Sequence, residues 1–226
     1  MIKLLGSVPK TICVAVSGGL DSMAALDFLT NNTARRVVAL YFNHGTDHGH
    51  DAEGFVRSYC RGVGVPCVTG SVTREIKKGE SKEAYWRSER YGFFNNWTLD
   101  YKYFSSMPDT PTLNLFSKAP IITCHHLDDA VETWIFTSLH GNSKLIPYKR
   151  DQFLRPFLLS RKSDLRDWCE KRSVPYITDP SNTDTSYMRN FIRHDLLPSA
   201  LRVNPGLHKV VKKKIQLSYK NTVDIN

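Results

Sequence analysis

The stretch Ser17-Gly18-Gly19-Leu20-Asp21-Ser22 constrains this chain more than any other. It follows the apolar run Ile12-Cys13-Val14-Ala15-Val16 and opens a segment, Leu20 to Leu29, that reads as a helix. Strand, glycine-rich turn and helix, in that order, place free backbone N–H groups and a helix dipole where an anion can sit. Gly18 and Gly19 let the backbone close tightly, and Ser17 and Ser22 add hydroxyl donors. There is no Gly-x-x-x-x-Gly-Lys, so this is not a Walker A loop. Asp21 inside a phosphate cradle suggests a bridging Mg²⁺. The plainer alternative is a Gly-Gly turn before an amphipathic helix. Two serines and an acid around the glycines favour phosphate.

The rest of the chain alternates in the same sense. Arg36 to Asn43 and Pro66 to Val72 read as buried strands, and Ala119 to Cys124 as a fourth. His44 to His50 reads as a loop, and Asp51 to Val63 and Glu80 to Leu99 as helices. Asp100 to Lys118, broken by prolines, reads as a surface excursion. His125 to Leu139 reads as a helix, and Phe153 to Leu159 as a short extended segment broken by Pro156. Ser160 to Arg172 is a helix with Ser160 as its N-cap, and Val174 to Ile177 is extended before the Asp179–Asn182 loop. Tyr187 to Leu197 reads as a helix ending at Pro198, and Leu207 to Tyr219 as a basic helix. The pattern predicts an α/β fold: a Rossmann-like open parallel sheet with helices on both faces. Residues 1–205 form the expected catalytic domain and 206–226 a basic helical tail. Ligands of such sheets bind beyond the carboxyl ends of the strands, where Ser17–Ser22, His44 and His125–Asp129 all fall.

On a helix, Asp128 and Asp129 share a face with Glu132. Like charges at that spacing ask for a cation between them, either Mg²⁺ or a substrate ammonium group. An acidic helix N-terminus explains Asp128 and Asp129 equally well, and Glu132 less well. Arg189 and Arg193 are also one turn apart, placed either to clamp phosphate bidentately or to form a solvated basic face. His44, His48 and His50 lack the ligand spacing of a zinc site; His44 alone is a candidate nucleotide contact.

With 226 residues and 41% hydrophobic content the chain suits one α/β domain, or one with a small appendage. A formal charge of +9 favours a polyanionic partner, nucleic acid first. Five cysteines without a Cys-x-x-Cys pair fit a reduced, cytoplasmic setting. Nothing reads as a signal peptide, and no apolar run approaches the roughly 18 residues of a membrane span. The sequence does not set an oligomeric state.

Together these residues resemble the tRNA(Ile)-lysidine synthetase family, a branch of the N-type ATP pyrophosphatases. Ser-Gly-Gly-Leu-Asp-Ser at 17–22 is similar to the superfamily's pyrophosphate loop. Asn43-His44-Gly45 with Glu53, Phe55-Val56 and Cys60 resembles a second signature, and Glu83 to Tyr91 with Arg87 and Arg90 an arginine-bearing helix. His125-His126-x-Asp-Asp-x-x-Glu-Thr133, Arg155-Pro-Phe-Leu158, and Asp179-x-Ser-Asn182 through Arg189-Asn190-x-Ile-Arg193 to Leu-Pro198 complete one collinear pattern. The resemblance implies ATP-dependent attachment of free L-lysine to the wobble cytidine of an isoleucine tRNA with a CAU anticodon. The route is an adenylated cytosine, with release of pyrophosphate and AMP. It implies that Ser17, Gly18, Gly19, Leu20, Asp21, Ser22 and His44 bind ATP, and that Asp21, Asp128 and Asp129 hold Mg²⁺. It further implies that Asp128, Asp129 or Glu132 handles the lysine amine, and that Arg87, Arg90, Arg189 and Arg193 are candidate phosphate or tRNA contacts. Departures are Thr46-Asp47 after Asn-His-Gly, His140-Gly141 after the acidic helix, and the expectation of a compact, catalytic-domain-only form. A tRNA sulfur-transfer enzyme using the same adenylation, and a non-catalytic nucleotide-dependent RNA binder, are the alternatives.

Overall fold

The structure, a computed structural model, describes residues 1–31, 34–98, 114–179 and 188–223. Its centre is a six-stranded sheet in which β1 (Thr11–Val16) lies between β2 (Arg36–Asn43) and β4 (Ile121–Ile122). β3 (Cys67–Ser71) pairs outside β2, and β6 (Phe153–Leu154) outside β4, all in parallel. An edge strand not anticipated from the sequence, β5 (Lys149–Arg150), pairs antiparallel to β6. The α/β fold with helices on both faces is the one expected. β4 and β6 are far shorter than the extended runs in the sequence, because each is paired over only two residues.

Alternation along β1 sorts the helices between the faces. Ile12, Val14 and Val16 pack with Met23 and Leu26 of α1 (Leu20–Asn31), Val56 of α2 (Asp47–Gly62) and Leu165 of the helix Lys162–Arg172. Cys13, with Val38, Leu40 and Phe42 of β2, packs against Phe93 and Phe94 of α3 (Lys82–Asn96). Gly70 of β3 permits that contact: a Cβ there would stand 2.4 Å from the Phe93 ring.

A third apolar cluster joins α4 (Leu127–Leu139) to the 3₁₀ turn Pro156–Leu159 and to the C-terminal helix Leu207–Val223. With α5 as Lys162–Arg172, α6 as Met188–Phe191 and α7 as Leu197–Val203, that last helix is α8. It was expected as a tail, yet its Leu207, Val211 and Ile215 are buried against Leu127, Ala130 and Val131. Residue 205 is therefore not a packing boundary.

Several local readings are corrected. α2 begins at Asp47 rather than Asp51, because the Thr46 side chain accepts from the Gly49 amide and caps it. Ser160 does not cap α5. It exchanges hydrogen bonds with the Lys3 backbone, and Asp164 reaches back to the Arg161 amide instead. The helix from Met188 does not stop at Pro198. A π-helical turn at Ile192–Leu196 carries it into α7, where the proline sits in the first turn and its missing N–H is no loss. The expected loop at 180–182, Tyr187 and most of the 100–118 excursion lie outside the described residues.

Candidate active site

The loop after β1 is held open from behind. The Ile177 amide donates to the Gly18 carbonyl at 3.0 Å, and a Cβ on Gly18 would stand 3.1 Å from the Ile177 side chain. Gly18 also has φ +84°, so both space and conformation require glycine. Ser22 is buried; its hydroxyl donates to the Gly19 carbonyl at 2.9 Å and accepts the Ser17 amide at 3.1 Å. It shapes the loop from within, and Ser17 Oγ lies 3.2 Å from it. The first α1 bonds run from the Ser22 and Met23 amides to the Gly19 carbonyl. The Leu20 and Asp21 amides precede them, the arrangement that receives a phosphate.

Asp21 joins this loop to the start of α4. Its Oδ2 lies 3.5 Å from His126 Nε2 and 3.7 Å from Lys162 Nζ. Its Oδ1 is buried without a hydrogen-bond partner among the described residues, as is His126 Nε2. His126 is also the N-cap of α4. Its Nδ1 accepts the Asp129 amide, and its own amide donates to Asp129 Oδ2 at 2.9 Å. In the neutral ring an accepting Nδ1 leaves the proton on Nε2, facing Asp21. Burial works to lower the His126 pKa, but Asp129, Asp21 and Asp128 more than offset it, so the net direction is up.

The three acids of α4 already have partners. Asp129 Oδ1 accepts from Arg189 at 3.1 Å and from Arg193 at 3.4 Å. Glu132, 3% exposed, accepts from Arg193 Nε at 2.7 Å and Nη2 at 3.1 Å, with Arg189 Nε 3.5 Å away. A cation for the acid spacing is thus supplied by the chain itself: both arginines pair with the acids, Arg193 largely buried and Arg189 still open to solvent. Burial works to raise the Asp129 carboxyl; His126, Arg189, His125 and the His126 amide outweigh it and hold the pKa down.

Asp128 is turned the other way. His208 Nε2 of α8 lies 3.1 Å from its Oδ1, and the Lys162 amide donates to its Oδ2 at 2.8 Å. Burial opposes ionisation here too, and His208 and the Lys162 amide reverse it, holding Asp128 well below the usual carboxylate range. His208 escapes a sequence reading because it looks like one more residue of a basic helix. The available signal was its place beside the apolar Leu207, Val211, Ile215 stripe.

Among the described residues no group of three His, Cys, Asp or Glu side chains is disposed to hold a metal ion. Of the three acids expected at Mg²⁺, Asp128 bonds to His208 of α8 and to the Lys162 amide, and Asp129 to the helix cap and the arginines. Asp21 alone, with its unpartnered buried oxygen, suits a cation arriving with phosphates.

His44 follows β2, edge-on to Phe42 at 5.2 Å and to Trp86 at 5.4 Å. Burial and then Arg90 lower its pKa to about 4, against an opposing pull from Asp179, so it is neutral at pH 7. Asn43 fixes the turn beneath it, accepting the Gly45 amide at 2.8 Å and donating to Glu53 at 3.0 Å. Arg87 lies over the Tyr91 ring, 4.8 Å from its centroid. Arg90 is half-buried nearby, within the field of Arg189.

The PP-loop domain family matches residues 3–105 and 111–200. A tRNA(Ile)-lysidine synthase of Thermotoga sp. (strain RQ2) is 29% identical over 92% of this chain and 49% of its own length. The tRNA(Ile)-lysidine synthase of Bacillus subtilis (strain 168) is 30% identical over 90% of this chain and 43% of its own. The chain thus spans about half the length of the curated relatives it matches. Among solved structures, the U34-tRNA thiolase NcsA from Methanococcus maripaludis with its [4Fe-4S] cluster shares the fold. Its TM-score is 0.66 at 13% identity, over 96% of this chain and 73% of that one.

Proposed function

The chain belongs to the PP-loop domain family, and on that premise we propose that it joins L-lysine to the wobble cytidine of an isoleucine tRNA. The tRNA carries a CAU anticodon, and ATP is consumed to AMP and pyrophosphate. The observation that carries the reading is the 3.5 Å approach of Asp21 to His126, which brings the loop after β1 and the acidic start of α4 into one site. The named relatives supply the reaction class.

In this proposal the amides at the start of α1, with Ser17, Gly18 and Gly19, hold the phosphates that leave as pyrophosphate. Asp21 would hold Mg²⁺, which neutralises charge on those phosphates. His126 faces Asp21 across 3.5 Å through Nε2 while Nδ1 caps α4. The cytosine O2 attacks the α-phosphorus, and the α–β bridging bond breaks. The lysine ε-ammonium gives one proton to a carboxylate of the α4 cluster, the free amine adds to C2, and a second proton leaves as AMP departs. Asp129 and Glu132 receive the ammonium group, exchanging it for Arg189 and Arg193, whose guanidiniums are released towards phosphate. His44, neutral and edge-packed, borders the nucleotide. Among the described residues no helix is long and apolar enough to cross a membrane. We place its work in the cytoplasm, where tRNA and ATP meet.

The test is incubation with ATP, Mg²⁺, radiolabelled lysine and that tRNA. Acid-stable, ATP-dependent label on the RNA, abolished by Asp21→Ala, is the expected result. Pyrophosphate release without lysine incorporation would redirect the proposal to the sulfur-transfer class. Silence in both would favour a nucleotide-dependent RNA binder.

A further inference from the structure

A cleft of about 390 Å³ lies beside the site, between α3 and the β5–β6 edge. Arg87, Arg150 and Arg155 line it together with Ser88, Tyr91 and Phe153. Asp151 is the one acid on its wall; it is exposed and 3.9 Å from Arg150. Arg155 is 5% exposed, and its Nη1 donates to the Pro147 carbonyl at 3.1 Å. Among the described residues neither Arg87 nor Arg155 has a carboxylate within ion-pair distance. A buried guanidinium without a counter-charge is unfavourable unless an anion arrives.

Position narrows the anion. Arg155 follows β6 directly, so it stands on the same carboxyl edge of the sheet as the loops after β1, β2 and β4. The fields of Arg155 and Arg189 both bear on His125, which links the cleft to the acid–arginine cluster. The cleft does not suit a stacked base. Arg87 already covers one side of Tyr91, and Phe153 packs edge-on at 5.0 Å. It is also two strands away from the loop after β1, which leaves the ATP phosphates to that loop. A nucleotide reacting inside a polynucleotide has a phosphodiester on each side, and this edge offers one of them a cationic seat.

We infer that the Arg87–Arg150–Arg155 cleft is a phosphodiester subsite that holds the RNA backbone next to the reacting nucleotide. The inference rests on the RNA-modifying function proposed above. Such contacts give affinity and register without reading sequence.

The test is fluorescence-anisotropy binding of a labelled CAU-anticodon isoleucine tRNA transcript across a salt series. It compares the full chain with Arg150→Ala and Arg155→Gln. Arg150 is on the surface, so Arg150→Ala stays informative even if Arg155→Gln fails to fold. Each variant is expected to weaken binding and to lower the slope of log affinity against log salt by about one. ATP affinity, measured separately by calorimetry, is expected to stay unchanged. An unchanged tRNA slope in Arg150→Ala would overturn the subsite. So would a loss of ATP affinity with tRNA binding intact, because the cleft would then serve the nucleotide. A wild-type chain that bound no tRNA would remove the function first and the subsite with it, a result distinct from a variant that merely matches wild type.

Discussion

The loop after β1 and the N-terminal turn of α4 face each other across 3.5 Å, but they carry their charge in opposite ways. The loop keeps its capacity open. The Leu20 and Asp21 amides precede the helical bonds, and Asp21 Oδ1 is buried with no hydrogen-bond partner among the described residues. The acids of α4 are saturated: Asp129 and Glu132 by two arginines, Asp128 by His208 and the Lys162 amide. A ligand can enter the first region directly, whereas in the second it must displace a partner. The first region is therefore built for binding at little structural expense. The second couples any ligand it takes to the packing of the π-helical segment and α8.

The largest effect that would break this comparison concerns Asp21. Asp21→Ala should lower ATP-dependent turnover about a hundredfold or more while leaving the melting temperature within a few degrees of wild type. Steady-state kinetics and a thermal melt check both halves. A large drop in melting temperature would place Asp21 with the saturated acids instead.

Glu132→Ala should lower stability as well as turnover, by about 2–4 kcal/mol in urea unfolding, because Arg193 loses its main counter-charge in a largely buried place. Within the same cluster Arg193→Ala should cost more than Arg189→Ala. Arg193 is 24% exposed and bidentate to Glu132, whereas Arg189 is 56% exposed. Equal losses would mean that the pair is not ordered in the way described.

A smaller effect separates Asp128 from its neighbours by pH. Its folded carboxyl is held down, so its contribution is present above the ordinary carboxylate range and is lost as pH falls below about 4. Asp128→Asn should flatten melting temperature against pH in that window, and His208→Ala should do so in part. Smaller still is His44, whose pKa is lowered to about 4 in the fold. The unfolded chain takes up that proton near pH 6.5, so stability should decline as pH falls from about 6.5 to 4. His44→Ala should remove that decline, and between pH 7 and 8 it should leave the stability profile parallel to wild type.

The open region was legible in the sequence and the saturated one only in part. A Ser-Gly-Gly-Leu-Asp-Ser turn after an apolar run acts through its own backbone, so its neighbours in the chain define it. The sheet was legible for the same reason wherever strands were long: β1 and β2 form over nearly the residues their apolar runs mark. β5 was not, since a two-residue pairing leaves no periodicity to read, and β6 forms over only the first two residues of the run at Phe153–Leu159. The acids were identified as needing a cation, but Arg189 and Arg193 lie about sixty residues further on, and only the fold brings them there. His208 is eighty residues from Asp128, and Ser160 spends its hydroxyl on Lys3 rather than on a helix cap. Pairings across the fold of this kind leave no mark at either end of the sequence.

The measurement that bears most directly on the account is the identity of the nucleotide product. ATP labelled in its α-phosphate would be incubated with the chain, Mg²⁺, lysine and the CAU-anticodon tRNA, and the products separated. The account predicts AMP, formed only with tRNA present and lost in Asp21→Ala. ADP as the product would contradict it, because the loop after β1 would then release the terminal phosphate rather than pyrophosphate.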